Sequence, residues 1–232
     1  MGHVFLGVKQ LPLALLALVA CSSGPRTKTI AATWQMVGST ISVAAWSKDS
    51  VALQSAVSRF SDSTRAVDST TARAAVRQAW PAERGDLALR IEWRDVADSY
   101  VLDGALPVLA KAVDSALIDL GGLFLWVGDA TKRPVGIANP GNALDPVAQV
   151  ELRAGAVSTV SGRGERRSVT VLAPTAFKAS AWASALFSLG CDQALALAAR
   201  RGVSVVCADS AGGVRWSPEL QNRVVLPPGR AP

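Results

Sequence analysis

Ala116-Leu117-Ile118-Asp119-Leu120-Gly121-Gly122 is the stretch from which the fold can be read. Apolar residues flank one carboxylate and end in a glycine pair, so a short strand, Ala116 to Leu120, runs into a bend. A second apolar run, Leu123 to Val127, follows at once and reads as another strand. Glycine lacks the Cβ that bars positive φ and close approach. Gly121-Gly122 therefore suits either a simple tight turn or a turn whose backbone N–H groups cradle an anion. Asp119, at the strand's end, reads as a turn or cap residue rather than a ligand.

Working outward, further strands are expected at Val135 to Ala138, Ala148 to Leu152 and Val169 to Ala173. A helix should run from Thr175 to Leu189 and another from Asp192 to Arg201, followed by strands at Val203 to Val206 and Arg223 to Leu226. Upstream, Gly104 to Val113 is helical in composition, and Leu87 to Trp93 alternates as a strand does. A helix from Ser69 or Thr70 to Trp80 should stop at Pro81. Lys48 to Phe60 carries Val51, Ala52, Ala56, Val57 and Phe60 at amphipathic spacing, with Ser61-Asp62-Ser63-Thr64 as its breaker. Thr33 to Trp46 is rich in β-branched residues and reads as one strand. Runs of strands interspersed with helix pairs predict an α+β fold, one domain of mixed sheets flanked by helices, rather than a regular βαβ array.

The first twenty residues have the pattern of an export leader. His3 and Lys9 precede the apolar run Leu11 to Ala20, which is too short to span a bilayer as a permanent helix. Small residues lead into Cys21, a place that resembles the lipobox of bacterial lipoproteins, in which the thiol is lipidated and becomes the new N-terminus. Several acyl chains anchor stably, because each buried methylene adds about 0.8 kcal/mol. Residues 1–20 are thus expected to be a signal peptide, 21–30 a lipidated tether and 31–232 the folded domain. By resemblance to bacterial sorting rules, Ser22 favours the outer membrane, so the expected location is the cell envelope, lipid-anchored and facing the periplasm.

With 50% hydrophobic and 18% charged residues the chain is globular in composition, not disordered or fibrous. The formal charge of +6 is scattered, paired only at Arg166-Arg167 and Arg200-Arg201, and no basic stripe with interleaved aromatics appears. Nucleic acid is therefore not an expected partner. The single His lies in the leader, which removes Ser-His and Cys-His nucleophilic chemistry and His-ligated metal from the mature body. Cys191 and Cys207 flank a helix and a strand that bring the helix start near the strand end. A disulfide is geometrically allowed, but two buried free thiols are the expectation, since cysteine is among the most buried residue types.

Four further segments share an order. They are Met36-Val37-Gly38-Ser39-Thr40-Ile41-Ser42-Val43, Pro134-Val135-Gly136-Ile137-Ala138-Asn139-Pro140, Ala156-Val157-Ser158-Thr159-Val160-Ser161-Gly162 and Ala179-Ser180-Ala181-Trp182-Ala183-Ser184-Ala185-Leu186-Phe187-Ser188-Leu189-Gly190. With Ala116 to Gly122 they resemble, in sequence order, the Met-Gly-Thr opening, "ALIDLGG", "VGI..P", "AVATSG" and "ADALATALFVLG" segments of the FAD:protein FMN transferase family. These are the ApbE-like proteins once called thiamine biosynthesis lipoproteins. Leu102-Asp103-Gly104-Ala105 followed by Ala110-Lys111-Ala112-Val113-Asp114 resembles that family's "LDLGAIAKGYAVD", with part of the following helix missing.

The resemblance implies an ApbE-like (T-fold-like) domain that takes FAD as substrate with Mg2+. It would transfer the FMN half to a Thr or Ser hydroxyl of an exported electron-transfer flavoprotein and release AMP. By position, Met36, Asp103, Lys111, Gly121, Gly122 and Ser161 are the implied nucleotide contacts, with Asp114 a further carboxylate. A backbone carbonyl at Gly104 or Ala105 and the side chains of Ser180 and Ser184 are the implied metal contacts. The last two occupy the Asp and Thr of "DALAT", four residues apart on one helix face, so both oxygens could reach one ion. The carboxylate has become a hydroxyl, however, and the family's hairpin with its His-x-x-Asp-Pro is replaced by Arg163 to Ser168. The alternative is a degenerate relative that binds flavin or is structural without transferring it. What separates the two is whether another carboxylate, such as Asp103 or Asp192, comes within reach of Ser180.

Overall fold

The computed structural model describes residues 27–228, apart from 37, 86, 129–132, 141–144, 162–166 and 210–212. The expected leader, Cys21, most of the tether, and Arg163 and Arg166 lie outside the described residues. In chain order the elements are β1 (Lys28–Met36), β2 (Ser39–Ser47), α1 (Ser50–Arg65), α2 (Ser69–Arg84) and α3 (Trp93–Ala110). They continue with β3 (Ser115–Leu120), β4 (Leu123–Gly128), β5 (Arg133–Ile137), β6 (Ala148–Leu152), β7 (Gly155–Ser161) and β8 (Arg167–Ala173). The last are α4 (Ala176–Phe187), α5 (Cys191–Arg201), β9 (Ser204–Asp209), β10 (Val214–Trp216) and β11 (Val224–Val225).

An antiparallel sheet in the order β1-β2-β3-β4-β7-β8-β9-β10 carries all five helices on one face and a small sheet, β11-β6-β5, on the other. Because strand side chains alternate, each central strand feeds two cores. Leu125 of β4 packs with Leu53 and Phe60 of α1 and Leu102 of α3. Val169, Val171, Val205 and Cys207 of β8 and β9 pack with Trp80, Trp182 and Leu197. The intervening Trp126, Leu172 and Val206 face Val135, Ile137, Val150 and Leu152 of the small sheet. Burial on both faces is why these strands read as near-continuous apolar runs. The expected α+β architecture is present. No described helix is long and apolar enough to cross a membrane.

Several local expectations are corrected by tertiary contacts. Thr33 to Trp46 is not one strand but parts of a hairpin in which Trp34 pairs with Ile41 and Met36 with Ser39. α1 runs through its expected breaker to Arg65, because Ser63 and Thr64 turn their hydroxyls back to the carbonyls of Arg59 and Ser61. Thr64 also accepts a 2.9 Å bond from buried Trp34 Nε1. α2 continues past Pro81 to Arg84, and α3 begins at Trp93 and carries Pro107 inside. Leu87 to Glu92 is not a strand. Its alternation is real, since Leu87, Leu89 and Ile91 pack into the core under α2, α4 and α5. Its carbonyls are met by side chains instead of a neighbouring strand, Trp80 Nε1 donating to Leu89 and Arg84 to Leu87.

Cys191 and Cys207 are joined in a disulfide across a Cα–Cα distance of 5.7 Å, which corrects the expectation of free thiols. α5 packs back along β9, so its first residue meets the fourth residue of the strand, and the bond ties the last helix to the sheet. Closing a span of 16 residues constrains the unfolded chain by about 3 kcal/mol. Cys191→Ser should therefore lower the free energy of unfolding by about that amount in urea titrations. Reductant should bring the wild type down to the variant's level and leave the variant unchanged.

Candidate functional site

α4 is built mainly of small residues, and Ala179, Ser180, Ala181, Ala183 and Ala185 are all buried. Without bulky side chains on these positions the helix backbone settles close to β7 and β8 and beside α3. Trp182 and Leu186 are its large buried side chains, and Trp182 donates a 2.7 Å bond to Glu83 of α2. The start of α4 is capped twice. Thr175 Oγ1 accepts from Lys178 N, and the Asp103 carboxylate, from α3, accepts 2.8 Å bonds from the N–H groups of Ala176 and Phe177. Two otherwise orphaned donors are thereby satisfied, and α3 and α4 are fixed in register.

That register carries Ser180 and Ser184 into one cleft of about 290 Å³, near the low end of the roughly 300–1,000 Å³ usual for small-molecule sites. Ser180, 6% exposed, donates a 3.3 Å bond to Ser158 of β7. Ser184 Oγ accepts a 2.9 Å bond from the backbone N–H of Glu92, just before α3. Ser39 at the start of β2, Ser158, Thr159 and Ser161 of β7, and the Gly121-Gly122 turn complete the polar wall. Asp98 of α3 lines the same cleft and is 3% exposed.

Gly121 and Gly122 have φ of +56° and +102° and join β3 to β4 with Leu120 paired to Leu123. Two positive φ values in a two-residue hairpin loop match the right-handed twist of the flanking strands. The N–H groups of both glycines bond the Asp119 carboxylate. They are thus directed to the strand's own acid and not into the cleft, and Asp119 is the turn residue its position predicts. Burial pushes its carboxyl above the usual value, against the lowering effect of those two bonds. Asp103 is likewise raised by burial, opposed by the bonds from Phe177 and Ala176.

The structure brings together five of the residues expected at the site, Gly121, Gly122, Ser161, Ser180 and Ser184. It separates the others. Met36 is 2% exposed in the core, and its hairpin partner Ser39 lines the cleft instead. Asp103 caps α4, and Asp114 accepts from the backbone of Lys48. Asp192 is exposed and pairs with Arg215. Arg167 lies 5.1 Å from the Phe187 ring. Ala105 borders a different cavity, between α1, α2 and α3, and sits inside a helix whose carbonyls serve its own ladder. Lys111 is exposed just past the end of α3.

The last two displacements agree with a second register of the resembling motif. α3 is 18 residues long, and "DLGAIAKGYAVD" can also be laid without a gap on Glu92 to Asp103, matching at Ala97, Tyr100 and Asp103. In this register the motif's Lys falls on Asp98, and its Gly-Ala falls in the first turn of α3 at 94 and 95. Asp98 is the residue that sequence reasoning missed. Its signal was a lone acid in the otherwise largely apolar stretch Val96 to Leu102. Among the described residues no cluster of three or more His, Cys, Asp or Glu is present.

No family model matches the sequence, and neither does any curated protein. Solved structures do. The flavin transferase ApbE from Vibrio cholerae superposes with a TM-score of 0.60 at 13% identity, over 85% of this chain and 100% of that one. The ApbE protein from Thermotoga maritima gives 0.64 at 14%, over 84% and 99%. The apo flavinyl transferase ApbE from Pseudomonas stutzeri gives 0.59 at 17%, over 84% and 97%. The fold is therefore ApbE-like along nearly the whole length of those chains.

Asp119 provides a pH test of the turn. A carboxyl whose folded pKa is raised contributes stability present below its unfolded value and lost as pH rises through the folded one. Asp119→Asn does not titrate. The stability of the wild type relative to this variant should fall in denaturant titrations as pH rises from below the ordinary carboxylate value to above it. A flat difference would remove burial as the dominant influence. For Asp103→Ala, which strips two donors of their partner at the start of α4, we expect a loss of about 1–2 kcal/mol.

Proposed function

We propose that this chain is a lipoprotein, anchored through Cys21, that binds FAD in the α3–α4–β7 cleft and transfers its FMN half to an acceptor. The acceptor would be a Thr or Ser hydroxyl of an exported electron-transfer flavoprotein. The observation that carries the reading is the convergence in one cleft of hydroxyls from β2, β7 and α4 with a buried carboxylate, within an ApbE-like fold.

A divalent cation, when bound, would neutralise diphosphate charge and polarise the phosphorus under attack. Magnesium is usually held by one or two carboxylates together with substrate phosphates and waters. The Asp98 carboxylate and the hydroxyls of Ser180 and Ser184 form a donor set of that kind, so the residues present fit the ion. In the transfer, the acceptor oxygen bonds to the FMN phosphorus and the bond from that phosphorus to the bridging oxygen breaks. AMP leaves with the electron pair, and the hydroxyl proton passes to solvent. The chain's own part is placement. Glu92 N–H orients Ser184 Oγ, Ser158 orients Ser180, and the small residues of α4 keep the helix close enough to the sheet for these contacts.

A second reading, flavin binding without transfer, is favoured by one specific observation. The acid expected beside Ser184 on the same helix is Ser180, and both hydroxyls are already engaged. Purified protein mixed with FAD, Mg2+ and a Thr-containing acceptor peptide separates the two. The transferase reading expects AMP release in step with fluorescent flavin on the peptide, both abolished by EDTA. FAD binding with neither product overturns transfer in favour of binding alone. No FAD binding overturns both.

A further inference from the structure

We infer that a second cavity, walled by the ends of β6 and β8, the starts of β7 and β9, and Arg223, binds a small monocarboxylate with a short aliphatic body. It is distinct from the cleft already described. β7 lines it at Gly155 and Ala156 and reaches the cleft only at Ser158 to Ser161, so the inference does not depend on the flavin reading.

The cavity holds about 360 Å³, within the roughly 300–1,000 Å³ usual for small-molecule sites. Leu152, Leu172 and Pro174 give it an apolar side, and Ser204 and Arg223 a polar one. Gly155 lets β7 start hard against the end of β8. Its φ is +91°, and a Cβ there would stand 2.5 Å from the Ala173 carbonyl oxygen, so only glycine fits. Arg223 is fixed in place by backbone. Its Nε and Nη2 donate 3.2 Å and 2.7 Å bonds to the Glu151 carbonyl, and the Glu151 N–H donates a 2.9 Å bond to the Arg223 carbonyl. A guanidinium has five N–H donors, and these bonds occupy its Nε–Nη2 edge. The Nη1–Nη2 fork, which matches the two oxygens of a carboxylate, is left for another acceptor. Among the described residues no carboxylate forms an ion pair with Arg223. Burial, and after it the charge of Arg153, hold its pKa below the ordinary arginine value, against a smaller opposing effect of Glu151. Two guanidinium groups and one carboxylate leave a single positive charge uncompensated. A monoanion balances it, whereas a phosphate dianion exceeds it. A bare halide would balance the charge but leave the apolar side uncovered, which a short aliphatic body does not. A fork held in position beforehand loses little freedom on binding.

The test titrates the full chain, labelled with 15N, with butyrate, with its neutral isostere butyramide and with inorganic phosphate, and reads the amide resonances. Butyrate should bind saturably at about millimolar affinity, as suits six non-hydrogen atoms, with shifts concentrated at Gly155, Ala173 and Ser204. Butyramide keeps the shape and loses the charge, and should bind at least about tenfold more weakly. Arg223→Met should weaken butyrate by a similar factor, and Arg223→Lys, which keeps the charge without the fork, should restore only part of it. The three ligands are compared on the wild type, so the outcome stands whether or not a variant folds. Equal binding of butyramide overturns the inference, as do butyrate shifts that are absent or spread over the surface. Undiminished butyrate binding by folded Arg223→Met overturns it too. Phosphate binding tighter than butyrate at the same resonances overturns the assignment of a monocarboxylate.

Discussion

The close approach of α4 to the large sheet is the constraint on which the rest of the molecule depends. The Ala and Ser positions of α4 let its backbone and β-carbons fit against β7 and β8, while Trp182 and Leu186 supply its large buried apolar side chains. Interiors packed to crystal-like density do not tolerate added volume there. The same closeness sets α3, because Asp103 can cap α4 only if the two helices meet at one register. The cleft residues carried by the two helices, Asp98, Ser180 and Ser184, inherit their positions from that pair of contacts.

One consequence is electrostatic. Carboxylates that stabilise the scaffold, Asp103 on α4 and Asp119 on the glycine turn, occupy the backbone donors that might otherwise bind an anion. Both pay for burial with raised pKa values, partly offset by the N–H bonds they accept. Among the described residues, the polar side chains lining the cleft are hydroxyls and the Asp98 carboxylate. The acid expected on α4 is absent, but an acid reaches the same cleft from the neighbouring helix.

The differences between expected and observed elements share a physical origin. Period-two patterning reports that one side of an extended segment is buried, and Leu87 to Glu92 is buried on one side. It does not report whether the backbone has a ladder partner, and here side chains of α2 serve instead. The polar run ending α1 and the proline in α2 are poor helix formers locally, yet tertiary bonds and intrahelical side-chain bonds keep both segments helical. The cysteines show the same limit. Proximity of the helix start and strand end was legible, but pairing depends on a Cα separation of 5.7 Å that only packing of α5 on β9 determines.

From the sequence alone came the α+β class, the strand and glycine turn at Ala116–Gly122, and the helix that presents Ser180 and Ser184 four residues apart. These rest on short-range periodicity and on the backbone freedom of glycine, which are properties of neighbouring residues. The tertiary structure decided which residues share a cleft. It brought in Asp98 and Ser39, gave Asp103 to a helix cap and Asp119 to a turn, and set Ala105 and Lys111 elsewhere. No local pattern encodes those assignments, because they follow from how far each helix slides along its neighbours before the core closes.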